Sequence, residues 1–134
     1  MSEKVAVDIV DEAEKVIKSL NTDRWGKPGL KTAKIRKFLA AVNSIRNEVM
    51  VMKGSHKDTA LSPDIALEIK MLKANILYQA GRDTDRDKFV KDFVEKSHLV
   101  DKINAVGTDY KKFDLLCKYI EALVAFHKYY GGAD

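Results

Sequence analysis

The apolar residues of this chain recur every three or four positions almost from end to end, a period that belongs to α-helices and not to strands. Only seven glycines and two prolines interrupt the 134 residues, which is little punctuation for a many-stranded β fold. The length suits a single domain over residues 1–134. A chain of this size buries roughly two-thirds of its unfolded surface, so neither disulfides nor metals are needed to hold it. The expected fold is all-α, a compact bundle of about five helices.

The first helix, over about residues 3–20, sets Val5, Ile9, Ala13, Val16, Ile17 and Leu20 on one stripe, behind Ser2 as N-cap, with an acidic outer face. Residues 21–30 carry the glycine and proline of a loop. Thr32 is expected to cap a second helix running to about Lys53, with Ile35, Phe38, Leu39, Val42, Ile45, Val49 and Met52 on one side. Gly54 ends it, and 54–62 reads as a polar connection. Ser62 and Pro63 with Asp64 behind them open a third helix, which Gly81 is expected to cap before a loop at 81–85. This helix is two-sided. Ile65, Ile69, Leu72 and Ile76 form one stripe and Leu67, Met71, Ala74 and Tyr78 another, so it is either central in its own bundle or half-covered by a partner.

A fourth helical stretch, about 86–106, opens at Thr84 or Asp85 and slips phase near Ser97-His98, where a break is expected. Gly107 stops it. Thr108 is expected to cap a fifth helix, about 109–130, that buries Phe113, Leu116, Cys117, Ile120, Leu123, Val124 and His127. Its second stripe is Leu115, Tyr119, Ala122, Phe126 and Tyr129.

Little in the sequence assembles an enzyme. His56, His98 and His127 fall on different segments without metal-ligand spacing, so no metal or other cofactor is expected. His127 reads as a core-edge residue, and His56 and His98 as solvent-facing. Cys117, the single cysteine, shares a stripe with Leu116 and Ile120 and reads as a small buried hydrophobe; alone it excludes an intramolecular disulfide and suits a reducing cytoplasm. No apolar run approaches the ~18 residues of a membrane span. The N-terminus lacks the apolar core of a signal peptide, so a cytoplasmic protein with no membrane partner is expected.

Charge is where the sequence becomes specific. The net +4 of the whole chain conceals a strong asymmetry. Residues 1–23 hold three basic and six acidic residues, residues 24–57 hold nine basic residues against Glu48 alone, and residues 58–134 hold twelve basic and thirteen acidic. The middle quarter is therefore +8 and the flanks −3 and −1. Such a concentration is the footprint of a polyanion partner or, in the blander case, a solvated helix face balanced by acidic neighbours. On the second helix, the face opposite the apolar stripe carries Arg36, Lys37, Ala40, Asn43, Ser44 and Asn47, rich in donors and free of carboxylate. Lys31 and Lys34 stand at its N-terminus, where free N–H groups and the helix dipole also favour anions. No base-reading motif is present. Trp25 offers an aromatic surface to a base, although a loop tryptophan more often packs over a core edge.

Three segments, in order and at family spacing, resemble the small subunit of type III-A CRISPR–Cas (Csm) effector complexes. Leu30-Lys31-Thr32-Ala33-Lys34-Ile35-Arg36-Lys37-Phe38-Leu39 is similar to the family's Leu-Thr-Thr-x-x-Ile-Arg-Lys opening of a long helix, with Lys31 where the family often has threonine. Tyr78-Gln79-Ala80-Gly81-Arg82 resembles its Tyr-Gln-Ala-Gly-Arg element. The segment from Tyr119 to Gly132 resembles its aromatic-rich ending. The resemblance covers about residues 5–134.

It implies a noncatalytic, multi-copy helical subunit that lines the crRNA–target RNA duplex. Its implied partners are other copies of itself, the backbone subunits that hold the crRNA, and the large polymerase/nuclease-type subunit. Lys34, Arg36, Lys37, Arg82 and Lys128 are the RNA-binding positions carried by the three motifs. Lys31, Arg46 and Lys118 join them from charge and helix face alone. A rival expectation from the same charge asymmetry is a helical adaptor whose basic face meets an acidic protein.

Overall fold

The computed structural model describes residues 3–53, 60–83 and 88–132. The helical periodicity is realised as six helices among the described residues: α1 (Glu3–Ser19), α2 (Thr32–Lys53), α3 (Pro63–Gly81), α4 (Phe89–Ser97), α5 (Leu99–Val106) and α6 (Tyr110–Tyr129). The only β feature among them is an isolated bridge between Thr22 and Pro28. The expected helix near 86–106 is two helices, which makes the total six and not five. His98, at φ 55°, takes the left-handed conformation between them, one that costs a non-glycine residue about 1 kcal/mol. Part of that cost is offset where the chain turns. The break frees the Ser97 carbonyl, and the buried Tyr119 hydroxyl donates to it at 2.9 Å, so no backbone acceptor is stranded.

The helix ends partly follow the expected signals. Ser62 caps α3, its hydroxyl accepting from the Ile65 N–H at 3.3 Å with Pro63 next in the chain, and Gly107 ends α5 at φ 53°. Thr32, however, lies inside α2. The Lys31 carbonyl accepts the first bonds, from the N–H groups of Lys34 and Ile35, and the Thr32 hydroxyl donates at 3.5 Å to the Gly132 carbonyl. Asp109 and not Thr108 caps α6, its carboxylate accepting from the N–H groups of Lys111 and Lys112 at 2.9 and 3.4 Å. Gly81 belongs to α3, whose C-cap is Arg82 at φ −87°. Asp83 reaches forward to α4 and accepts from the Val90 N–H at 2.8 Å. Ser2, Gly54, His56, Thr84 and Asp85 lie outside the described residues.

α6 is the central element, packed against α1, α2 and α5, while α3 lies against α2, α4 and α5. One contiguous core joins Ala13, Val16 and Ile17 of α1, Ile35, Phe38 and Val42 of α2, Ile69 and Ile76 of α3, Phe93 of α4, Ile103 of α5, and Phe113, Ile120 and Leu123 of α6. Phe38 and Phe93 stack with centroids 6.0 Å apart. The two-sided helices resolve differently. In α6 the second stripe is taken in only in part: Tyr119 is 1% exposed, Leu115, Ala122 and Phe126 are half-buried, and Tyr129 is exposed. In α3 it faces outward, with Leu67, Met71 and Tyr78 exposed. Each helix has three neighbours, α1, α2 and α5 for α6 and α2, α4 and α5 for α3, and in α3 the residues that these bury are Ile65, Ile69, Leu72, Ile76 and Ala80.

Candidate nucleic-acid interface

The start of α2 is positioned from two sides. His127, fully buried on the last turns of α6, bonds the Leu30 carbonyl through Nε2 at 2.6 Å. Gly132 lies against the same imidazole so closely that a Cβ there would enter the ring. This contact sets the end of α6, with exposed Lys128, beside the N-terminus of α2. From the other side the C-terminus of α3 approaches. Lys31 and Lys34 of the α2 start, together with Gln79, Arg82 and Asp83 from the end of α3, line a cleft of about 250 Å³. Gly29 forms part of its wall and lies under the Phe89 ring, which leaves no room for a side chain.

The cleft has a cationic rim. Its one carboxylate, Asp83, is engaged at the α4 N-terminus through Oδ2. The Arg82 guanidinium lies 5.8 Å from the centroid of the exposed Tyr78 ring, a contact that holds the charge at the surface without neutralising it. The first turn of α2 contains no acidic residue, so its free N–H groups add to the positive potential.

Beyond the cleft the exposed face of α2 runs through Lys34, Arg36, Lys37, Ala40, Ser44 and Asn47, with Asn43 half-buried. Among the described residues no carboxylate lies within ion-pair distance of Lys34, Arg36 or Lys37. The basic character stops toward the C-terminal end. There Glu48 stands beside Glu68 of α3, and the hydrogen bond between them raises the Glu68 carboxyl from its ordinary value. The α2–α3 pair is therefore cationic at one end and acidic at the other, with the apolar side chains of Leu67 and Met71 exposed on α3.

The expected RNA-binding residues thus fall into groups. Lys31, Lys34 and Arg82 meet at the cleft, Lys128 lies at the same end of the molecule, and Arg36 and Lys37 continue along the open face. Arg46 and Lys118 are different. Arg46 bridges from α2 to α6, to Glu121 at 2.7 Å and Asp114 at 3.5 Å, and Lys118 pairs with Asp114 at 3.1 Å. Two cations and two carboxylates there balance. Only charge and helix face point to Arg46 and Lys118; tertiary packing brings Asp114 and Glu121 to Arg46, whereas the Lys118–Asp114 pair is a local i,i+4 pair on α6.

Trp25 departs from the expectation that it packs over a core edge: it is 72% exposed. Cys117 is fully buried, and desolvation pushes its thiol up to about 12, far from a nucleophile's range. His98 is exposed and lies 3.7 Å from Asp101. Among the described residues no group of three or more His, Cys, Asp or Glu side chains is placed to hold a metal ion, and no helix is long and apolar enough to cross a membrane.

The described residues define a small all-helical protein whose second helix presents an exposed cationic face without a carboxylate partner among them. The comparisons with known proteins narrow that description. The family model Csm2 Type III-A matches residues 3–133. A Streptococcus thermophilus protein, "CRISPR system Cms protein Csm2", is 32% identical over 125 residues, covering 93% of both chains. Its Enterococcus italicus namesake is 37% identical over 109 residues, 79% of this chain and 71% of the relative. A Mycobacterium tuberculosis namesake is 27% identical over 127 residues, 95% and 94% of the two. The chain belongs to the Csm2 family of type III-A CRISPR systems.

Proposed function

We propose that the chain is the non-catalytic small subunit of a type III-A RNA-guided interference complex in antiviral defence. In this reading several copies line the crRNA–target RNA duplex and hold its sugar–phosphate backbone, beside the backbone subunits and the large polymerase/nuclease-type subunit, in the cytoplasm. The observation that carries it is the exposed run of Lys34, Arg36 and Lys37 with no carboxylate partner among the described residues, continued by Lys31 and Arg82 at the cleft. A guide complex accepts any sequence, so its lining must bind phosphates and ignore bases. Arginine and lysine do this by charge, with the guanidinium fork adding bidentate contact. Arg46 and Lys118 serve the α2–α6 contact in this reading, and Lys31, Lys34, Arg36, Lys37, Arg82 and Lys128 face the RNA.

The rival adaptor reading rests on the same cations and on the exposed α3 stripe of Leu67, Met71 and Tyr78. Competition separates the two. With a labelled RNA duplex bound to the assembled complex, unlabelled duplexes of unrelated sequence are expected to compete within about threefold of one another, because phosphate contacts carry no sequence information. An acidic peptide of matched charge is expected to compete poorly. A strong sequence preference, or displacement by the peptide alone, overturns the proposal.

A further inference from the structure

We propose that Trp25 is a stacking platform for one unpaired base of single-stranded RNA, with Arg24 and Lys27 beside it for the flanking phosphates. Three independent observations converge on this loop.

The first is exposure. Pro28 and Leu30 of the same loop are buried and Gly29 is covered by Phe89, yet the indole, the chain's only tryptophan, leaves 72% of its surface in water. The loop has an apolar floor and the largest aromatic is turned away from it.

The second is rigidity. One oxygen of Asp23 accepts from the N–H groups of both Trp25 and Lys27, at 2.9 and 3.1 Å. The Asp23 backbone closes the turn, donating to the Lys27 carbonyl at 2.8 Å and accepting from the Gly26 N–H at 3.0 Å. Gly26 supplies the φ of +76° that this turn requires. The base of the loop is fixed to α4, where Asp92 accepts from the Asn21 N–H at 2.8 Å and the Lys96 ammonium donates to the Ser19 carbonyl at 2.6 Å. An aromatic ring mounted on a braced turn loses little conformational freedom when a ligand arrives.

The third is charge. The Arg24 guanidinium lies 5.0 Å from the indole centroid, and the stem of the exposed Lys27 packs against Gly131. The single nearby carboxylate in the loop, Asp23, is occupied by the turn's own N–H groups through Oδ1.

An exposed ring flanked by cations suits a base with its phosphates. A protein partner would call for a contiguous apolar patch, and the neighbours of Trp25 in the turn are Asp23, Arg24, Gly26 and Lys27. A base inside a duplex is already stacked and paired, so this site takes an unpaired nucleotide and is separate from the duplex face on α2.

Because the chain holds one tryptophan, its emission reports the site directly. The full chain is titrated at low salt with a fluorescein-labelled oligouridylate, read by anisotropy for binding, and with the unlabelled strand, read by Trp25 emission for stacking. A strand of equal length with abasic sites supplies the same charge without bases. The proposal expects saturable quenching by oligouridylate and little by the abasic strand. Trp25→Ala should weaken oligouridylate binding by about fivefold to a hundredfold, the range for removal of one base–aromatic stack, while Trp25→Phe stays within about threefold. Affinity for a blunt RNA duplex should be unchanged in both variants, which separates failure here from failure of the duplex-lining reading. Absence of binding by anisotropy, binding without quenching, equal quenching by the abasic strand, or an unchanged Trp25→Ala affinity each overturns the proposal. Quenching only by an acidic peptide assigns the loop to a protein partner and overturns it as well.

Discussion

Tyr119→Phe removes one oxygen atom, and the structure says what that atom holds. The hydroxyl donates at 2.9 Å to the carbonyl of Ser97, where α4 ends and His98 turns the chain into α5, and makes a longer contact at 3.5 Å with Glu12 Oε2 of α1. Both residues are buried, Tyr119 at 1% and Ser97 at 0% exposure, so water does not replace the missing donor. A buried carbonyl left unpaired costs about 1–3 kcal/mol. Apart from the 3.5 Å contact with Glu12, which keeps its Lys102 partner at 3.1 Å, the surroundings survive the change: the ring keeps its packing and the Lys102 ammonium stays over it at 4.5 Å. The expected destabilisation is therefore about 1–3 kcal/mol, or a melting point lower by about 4–12 °C for a chain of this size. Helical circular dichroism during thermal and urea unfolding measures it, with an unchanged urea slope showing that the same surface is still exposed on unfolding. Tyr129→Phe is the control: Tyr129 is 80% exposed, and its effect should stay within about 0.5 kcal/mol. If Tyr119→Phe unfolds within that same margin of the parent, the hydroxyl does not secure the break at His98 and the reasoning fails.

Other outcomes follow from single side chains. His127 keeps its proton on Nε2 toward Leu30, and its Nδ1 is buried without a hydrogen-bond partner among the described residues; burial lowers its pKa from the ordinary value of 6.5. The unfolded chain therefore binds a proton first as pH falls, so stability should decline on acidification below about 6.5, and His127→Gln, measured by urea unfolding across that range, should flatten the decline. Cys117 should resist a thiol reagent at pH 8 in the folded protein and react once urea unfolds it, since it is fully buried and its thiol is pushed up to about 12. Arg46→Ala should cost about 0.5–1 kcal/mol in stability, the worth of partly exposed ion pairs, and leave RNA affinity within about twofold; a large drop in affinity with intact stability would place Arg46 on the RNA instead.

The architecture was legible from period and punctuation, because a helix that buries one stripe must repeat that stripe. Ala13, Val16 and Ile17, or Ile35, Phe38 and Val42, are placed by spacing alone. The break at Ser97-His98 showed as a phase slip, but a slip does not say whether a helix bends or stops, and the count of five became six there. Where two stripes share a helix, the sequence leaves the choice open: Tyr119 of α6 is core and Tyr78 of α3 is surface, at similar hydrophobicity. Neighbours decide that, and neighbours are a tertiary fact. The same limit applies to the candidate interface. The cationic face of α2 was readable as a charge run, and Arg82 as part of a motif. The carboxylates that neutralise Arg46 come from α6, about seventy residues away in sequence, and no local pattern announces them, whereas the Asp114–Lys118 pair is an i,i+4 spacing readable in the sequence. Trp25 was legible as a loop residue, whereas its exposure depends on the Asp23 turn that lifts it off the core.

The most direct test is the salt dependence of target-RNA binding by the assembled complex, with the parent subunit and with Arg36→Glu plus Lys37→Glu. Removing a single cation–phosphate pair should reduce the slope of log K against log salt by about 0.7 to 0.9. The double reversal should therefore flatten the slope by about 1.5 or more for each copy that engages the duplex and weaken binding equally for unrelated target sequences. An unchanged slope and affinity, with the complex still assembled, would mean that the open face of α2 does not hold the RNA backbone.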